Sequence, residues 1–137
     1  MAGGNVLTKN MVFNMVRETQ DHGTFNSWDR QPFMYTGADG KPTFVPRTNV
    51  IGPGNFFVNN YNPQEAVDND DSSAYYETHH NFFPFSTGGL KNDFKGHDNS
   101  HHNNMYYNAG GCMGDGTTQS PGHEDSFFNN TCIMNVD

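Results

Sequence analysis

Leucine is nearly missing from this chain, with Leu7 and Leu90 the two examples in 137 residues. That excludes a leucine-rich repeat, which needs a regular leucine ladder. Basic residues are also scarce: Lys and Arg total 7 against 15 Asp and Glu, a formal charge of −8. A nucleic-acid partner is excluded, because phosphate binding demands clustered cations. An anionic membrane surface is disfavoured for the same reason. No apolar run approaches the roughly 18 residues that span a bilayer, so membrane insertion is not expected. The opening MAGGNVLTKN lacks the basic and apolar regions of a signal peptide, so the chain reads as intracellular or as a piece of a longer protein. Two cysteines, Cys112 and Cys132, are too few for a disulfide framework. They read first as small buried residues and second as a single bridge. No stretch carries a sustained helical period; Val12 to Val16 hints at one but is too short.

What is present is aromatic and amidic. Hydrophobic residues make up 33% of the chain, yet there are 12 Phe, 6 Tyr, 15 Gly and 19 Asn. The apolar residues come in short bursts such as Val12-Phe13, Phe56-Phe57-Val58, Phe82-Phe83, Met105-Tyr106-Tyr107 and Cys132-Ile133. Each burst is bounded by Asn, Gly, Asp or Pro. Short strands separated by turns follow from that pattern, and the fold class is all-β.

The bursts repeat. Asn leads a short strand at Asn10, Asn55, Asn81, Asn104 and Asn130, at intervals of 45, 26, 23 and 26 residues. A longer match supports the last interval: GHDNSHHNN from Gly96 returns as GHEDSFFNN from Gly122, with Asp98 exchanged for Glu124. The unit before ends in the same His-His-Asn, at His79-His80-Asn81. The long first interval predicts a loop insertion near 34–48, where Gly and Pro punctuate TGADGKP. A helix-free repeat of this length suits stacked coils, each supplying short strands to parallel sheets. Asparagines at one corner of successive coils then form a hydrogen-bonded ladder of Asn55, Asn81, Asn104 and Asn130, with Asn10 able to join.

The Asn-led strands and the segments DNDDSSAYYETHHNFF, LKNDFKGHDNSHHNN and GHEDSFFNNT resemble the right-handed parallel β-helix superfamily of pectate-lyase-like proteins. The resemblance covers roughly residues 5–137. It implies one domain over 1–137, a right-handed parallel β-helix solenoid of about five coils. It also implies an extracellular or cell-surface setting and a polysaccharide as partner. DNDD and GHDN echo parts of the polygalacturonase set, but no Arg-Ile-Lys follows. Five coils are short for such enzymes, so the chain is expected to be a fragment, or to make end-to-end or oligomeric contacts at its open ends.

Stacked coils lie about 4.8 Å apart, which turns sequence offsets into distances. Counting back from the ladder asparagines aligns Asp70 with Asp93, His97 with His123 and Asp98 with Glu124. Like charges at such spacing raise the pKa of one carboxyl in each pair, as a general acid requires. In a glycoside hydrolase Asp98 and Glu124 are the expected catalytic pair, with Asp70, Asp71 or Asp93 as alternates and His97 and His123 orienting them. In a lyase Asp70, Asp71 and Asp93 hold Ca²⁺, and Lys91, His97 or Tyr75 is the base. No other cofactor is implied. Trp28 and Tyr75 are candidate sugar platforms, although Trp28 equally suits a cap over the open core. A transition-metal site drawn from His79, His80, His97, His101, His102 and His123 is the weaker reading. Pairs such as His79 with His101 lose their third member where Phe127 and Phe128 follow, which favours simple ring stacking. The alternative to an enzyme is a non-catalytic β-helix that binds glycans or builds an assembly.

Overall fold

The structure is a computed structural model, and it describes residues 3–19, 21–28, 34–36, 38–44, 48–61, 63–115 and 121–135. A first pass of the chain supplies β1 (Val6–Leu7), β2 (Met11–Val12) and β3 (Gly23–Trp28). An antiparallel hairpin of β4 (Met34–Thr36) and β5 (Pro42–Phe44) follows, inside the predicted insertion. The second pass gives β6 (Asn49–Ile51), β7 (Phe56–Phe57) and β8 (Glu65–Asp70). The third gives β9 (Tyr76–His79), β10 (Phe82–Pro84) and β11 (Leu90–Asn92). The fourth gives β12 (Ser100–His102), β13 (Met105–Ala109) and β14 (Met113–Asp115), and the fifth β15 (Ser126–Phe128) and β16 (Thr131–Met134).

Among the described residues there is no helix, so none that is long and apolar enough to cross a membrane. Each of the first four passes places one strand in each of three parallel sheets, and the fifth adds described strands to two of them. Sheet A runs β1-β6-β9-β12-β15, sheet B β2-β7-β10-β13-β16 and sheet C β3-β8-β11-β14. Strand order follows chain order in every sheet, an arrangement consistent with a β-helix-like solenoid.

Inward residues repeat one per pass and replace the missing leucines with rings. Phe57 stacks on Phe83 and Phe83 on Tyr106, both at 5.2 Å between centroids, and all three are buried. Val67 and Leu90 are register partners on sheet C and close the other side of the same core. The backbones approach closely enough that a Cβ on Gly89 would meet the Cys112 carbonyl, so that position admits only glycine.

The corner between sheets A and B is built by a residue in the left-handed region just before each ladder asparagine. Lys9, His80, Asn103 and Asn129 have φ of 56, 51, 55 and 54°, and Gly54 takes the same place at 82°. That turn aims the next side chain into the corner. Asn10, Asn55, Asn81, Asn104 and Asn130 are then linked Nδ2 to Oδ1 at 3.1, 2.9, 3.2 and 3.0 Å. Each accepting Oδ1 also takes the backbone N–H of the asparagine before it. The second Nδ2 proton goes to a carbonyl of the previous pass, as from Asn81 to Ile51 at 2.7 Å. The interior amides at Asn55, Asn81 and Asn104 thus have every donor and acceptor used.

Three expectations need correcting here. Cys112 and Cys132 form a disulfide with Cα atoms 6.1 Å apart, not two buried thiols. Cys132 is the register partner of Tyr106, but among the described residues no pass covers it, so it is exposed and free to bond sideways. The histidines pair as His79 with His102, their rings stacked at 5.1 Å, and His102 stacks on Phe128 at 4.9 Å. His101 instead partners Thr78 and Phe127 and points into the interior, because the left-handed turn belongs to the residue after the strand. Trp28 does not cap the core: it ends β3 with 57% of its surface exposed.

Candidate functional site

Sheet C carries the charge. Lys91 is the register partner of Asp68, and Trp28 is that of Asp70. The Lys91 ammonium lies 3.1 Å from Asp68, 3.3 Å from Asp93 and 3.8 Å from Asp70. Burial works against this cation, but hydrogen bonds and charge from Asp68 and Asp93 outweigh it and hold its pKa above the ordinary lysine range. Burial raises Asp68 despite the lysine. Asp70 is raised by burial and by a hydrogen bond with the Asp93 carboxyl, as expected of two acids stacked on adjacent passes. Asp71 accepts a 2.6 Å hydrogen bond from the Trp28 indole, and its backbone N–H donates to Asp70 and Asp93. Asp70, Asp71 and Asp93 therefore do converge, their oxygens within 4.8 Å. The lysine already supplies positive charge to two of them.

Beside this strip is a cavity of about 350 Å³ lined by Glu65, Leu90, Lys91, Asp93 and Met113 over a floor of Gly88, Gly89, Gly111 and Gly114. Glu65 is only 6% exposed and its Oε2 has no hydrogen-bond partner. Burial, reinforced by Asp68 and opposed by Lys91, pushes its carboxyl up to about 7. Sequence reasoning missed both Glu65 and Asp68. Glu65 partners Gly23 in the pass before, and glycines line the cavity from the passes after, so no repeated side chain marks its column.

A second cluster sits where the chain turns from sheet C into sheet A. Ala74 and His97 form a parallel bridge, and the Asp98 N–H donates to the His123 carbonyl. Tyr75 and Asp98 both adopt left-handed φ, 62 and 54°. The Nδ1 atoms of His97 and His123 lie 2.7 and 2.8 Å from the same oxygen, Asp98 Oδ2. Tyr75 packs edge-on to His97 at 5.3 Å and its hydroxyl is raised by burial and by the Asp98 charge.

The expected Asp98–Glu124 acid pair is not realised. Burial would raise Asp98, but hydrogen bonds from His97 and His123 win and hold it below the usual carboxylate range. Glu124 is exposed and folds back onto the Gly122 N–H at 2.9 Å, which lowers it too. Neither carboxyl is raised as an acid's work requires, because imidazoles face Asp98 and backbone donors on Glu124 outweigh the charge of Asp98. Of the three lyase bases, Lys91 is locked as a cation among carboxylates, Tyr75 is shifted away from neutrality, and His97 is engaged by Asp98. Comparison with known proteins adds no family: no family model, curated protein or solved structure matches this chain.

Proposed function

We propose that the chain is a right-handed parallel β-helix, extracellular or at the cell surface, that binds a polysaccharide along sheet C and hydrolyses it. One observation carries this reading. Glu65, whose carboxyl burial pushes up to about 7, lines a sugar-sized cavity together with Asp93. A glycosidase needs two carboxyls in opposite protonation states. Glu65 is the general acid for the leaving oxygen, and Asp93 the carboxylate that serves the sugar ring or the attacking water. Lys91 fixes Asp93, and the exposed Trp28 face stacks on a neighbouring ring. Hydrolysis is preferred to a calcium-assisted lyase because Lys91 and Tyr75 hold their protons at neutral pH, and the third base, His97, is hydrogen-bonded to Asp98 outside the sheet C cavity. A second reading, a non-catalytic glycan-binding or assembly module with contacts at its ends, is favoured by the lysine already bound among three of the strip's carboxyls.

The test is a panel of soluble polysaccharides, assayed for binding, new reducing ends and ultraviolet-absorbing unsaturated ends, with and without EDTA. Hydrolysis predicts reducing ends without unsaturation, insensitivity to EDTA, and a loss of at least about 100-fold in kcat for Glu65→Gln with binding retained. Binding without turnover selects the assembly module. No binding to any glycan overturns both.

A further inference from the structure

We propose that His97, Asp98 and His123 form a site for one divalent transition cation, zinc being the expected ion, which clips the fifth pass of the chain to the fourth. The site is separate from the sheet C cavity and does not depend on the hydrolase reading. Its ligand atoms already converge: His97 Nδ1 and His123 Nδ1 lie 2.7 and 2.8 Å from Asp98 Oδ2, and all three fall within 4.8 Å of one another. A tetrahedral zinc with bonds of about 2.0–2.1 Å holds its ligand atoms about 3.3 Å apart, so an opening of a few tenths of an ångström admits the ion.

The backbone supports this placement. The Ala74–His97 bridge and the Asp98 N–H to His123 carbonyl bond fix the two histidines on adjacent passes. The left-handed φ of Asp98, a corner turn that Tyr75 also takes one pass earlier, puts its carboxyl between the two rings. Exposure falls in the useful range, with side chains 35%, 28% and 56% accessible, so one coordination position stays open to water. Tyr75 stands behind the set, its ring against His97 and its hydroxyl toward Asp98, as an outer-shell partner that orients the ligands.

The donor chemistry sets the ion. Two imidazoles with one carboxylate suit zinc and its neighbours, whereas calcium and magnesium want oxygen alone. Each Nδ1 must give up the proton it now shares with Asp98, by tautomer shift to Nε2 or by release to solvent. Binding therefore weakens in acid.

The test uses the full, untagged chain, titrated with Zn²⁺ by calorimetry and with Co²⁺ by visible absorption, with Tm read in parallel. One ion per chain, visible bands of four-coordinate Co²⁺ and a zinc-dependent rise in Tm are expected. His97→Gln and His123→Gln should each weaken binding more than about 100-fold, and Tyr75→Phe about 10-fold. His22→Gln, in the first pass, should leave binding unchanged. Circular dichroism of the metal-free variants separates lost ligands from lost fold. A wild-type chain with no Co²⁺ bands, or folded His97→Gln and His123→Gln chains that bind zinc as tightly as wild type, overturns the site.

Discussion

Lys91 Nζ lies 3.1 Å from Asp68 Oδ1 across paired strands of sheet C, where the two residues are direct register partners. The Asp68 side chain is completely buried and the lysine is 19% exposed, so water screens the pair little. Removing the cation strands a buried carboxylate, with Asp70 and Asp93 left facing each other. Lys91→Met is expected to lose about 3–5 kcal/mol near pH 8. The loss should shrink near pH 5, because the acids then take up protons and no longer need the ammonium. Urea denaturation at both pH values checks this; an equal loss at both would rule the charge out as the cause.

Two buried groups drive stability with pH in opposite directions. Glu65 is raised from 4.5 to about 7, so between those values the native state holds a proton that the unfolded chain has released. Stability from this group falls as pH rises through that window. His101 is fully buried and lowered from 6.5 to about 3, so there the unfolded chain binds the extra proton. Its contribution is lost as pH falls below 6.5. Glu65→Gln should remove a decline of roughly 3 kcal/mol between pH 4 and pH 8. His101→Gln keeps an acceptor for the Asn69 amide, 3.2 Å from the His101 Nε2, and should flatten the acid limb instead. Denaturant midpoints at pH 4, 6 and 8 separate the two; identical profiles for both variants would contradict the assignment.

The ladder should be most sensitive at its middle. Asn81→Ala leaves the Asn55 N–H and Nδ2 without their shared acceptor and the Ile51 carbonyl without its donor, all in buried positions. At about 1–3 kcal/mol per stranded buried group, a loss of about 3 kcal/mol or more is expected. Asn10 sits at the end of the ladder and its bond to Asn55 is only partly buried, so Asn10→Ala should cost about 1 kcal/mol. Equal losses at the two positions, by chemical denaturation, would mean that the asparagines act as isolated turn residues.

These elements differ in how legible they were. The asparagine ladder could be read because one residue type recurs at one corner and no other side chain both donates and accepts there. The Asp70–Asp93 stack followed from the same counting. The offsets that align His97 with His123 also pair Asp98 with Glu124, yet Asp98 meets the two imidazoles instead: stacking offsets identify neighbours on adjacent passes, not which way a side chain leans in a left-handed turn. His97 reaches Asp98 from the adjacent position in the chain, which no offset between passes expresses. Glu65 was hidden because glycine partners it in the first pass and glycines floor its cavity, so its column carries no repeating signal. Its pKa comes from burial, a property of the packed molecule.

The Cys112–Cys132 bridge joins the fourth pass to the fifth and closes a loop of sequence separation 20. Closing a loop of that length in the unfolded chain is worth roughly 3 kcal/mol by chain entropy. The fifth pass has no described strand beyond it, and its β16 residues are all exposed, so little else in it resists fraying. Reduction, or a Cys112→Ser/Cys132→Ser double substitution, should therefore loosen β15 and β16 before the inner passes. Hydrogen exchange is expected to show lost protection at Thr131–Met134 while Phe83 and Tyr106 stay protected. A peptide map without reductant should recover the two cysteines in one linked peptide, as the proposed extracellular setting predicts. Free thiols at both positions in protein isolated from its native source would remove the support this bond gives to a cell-surface location.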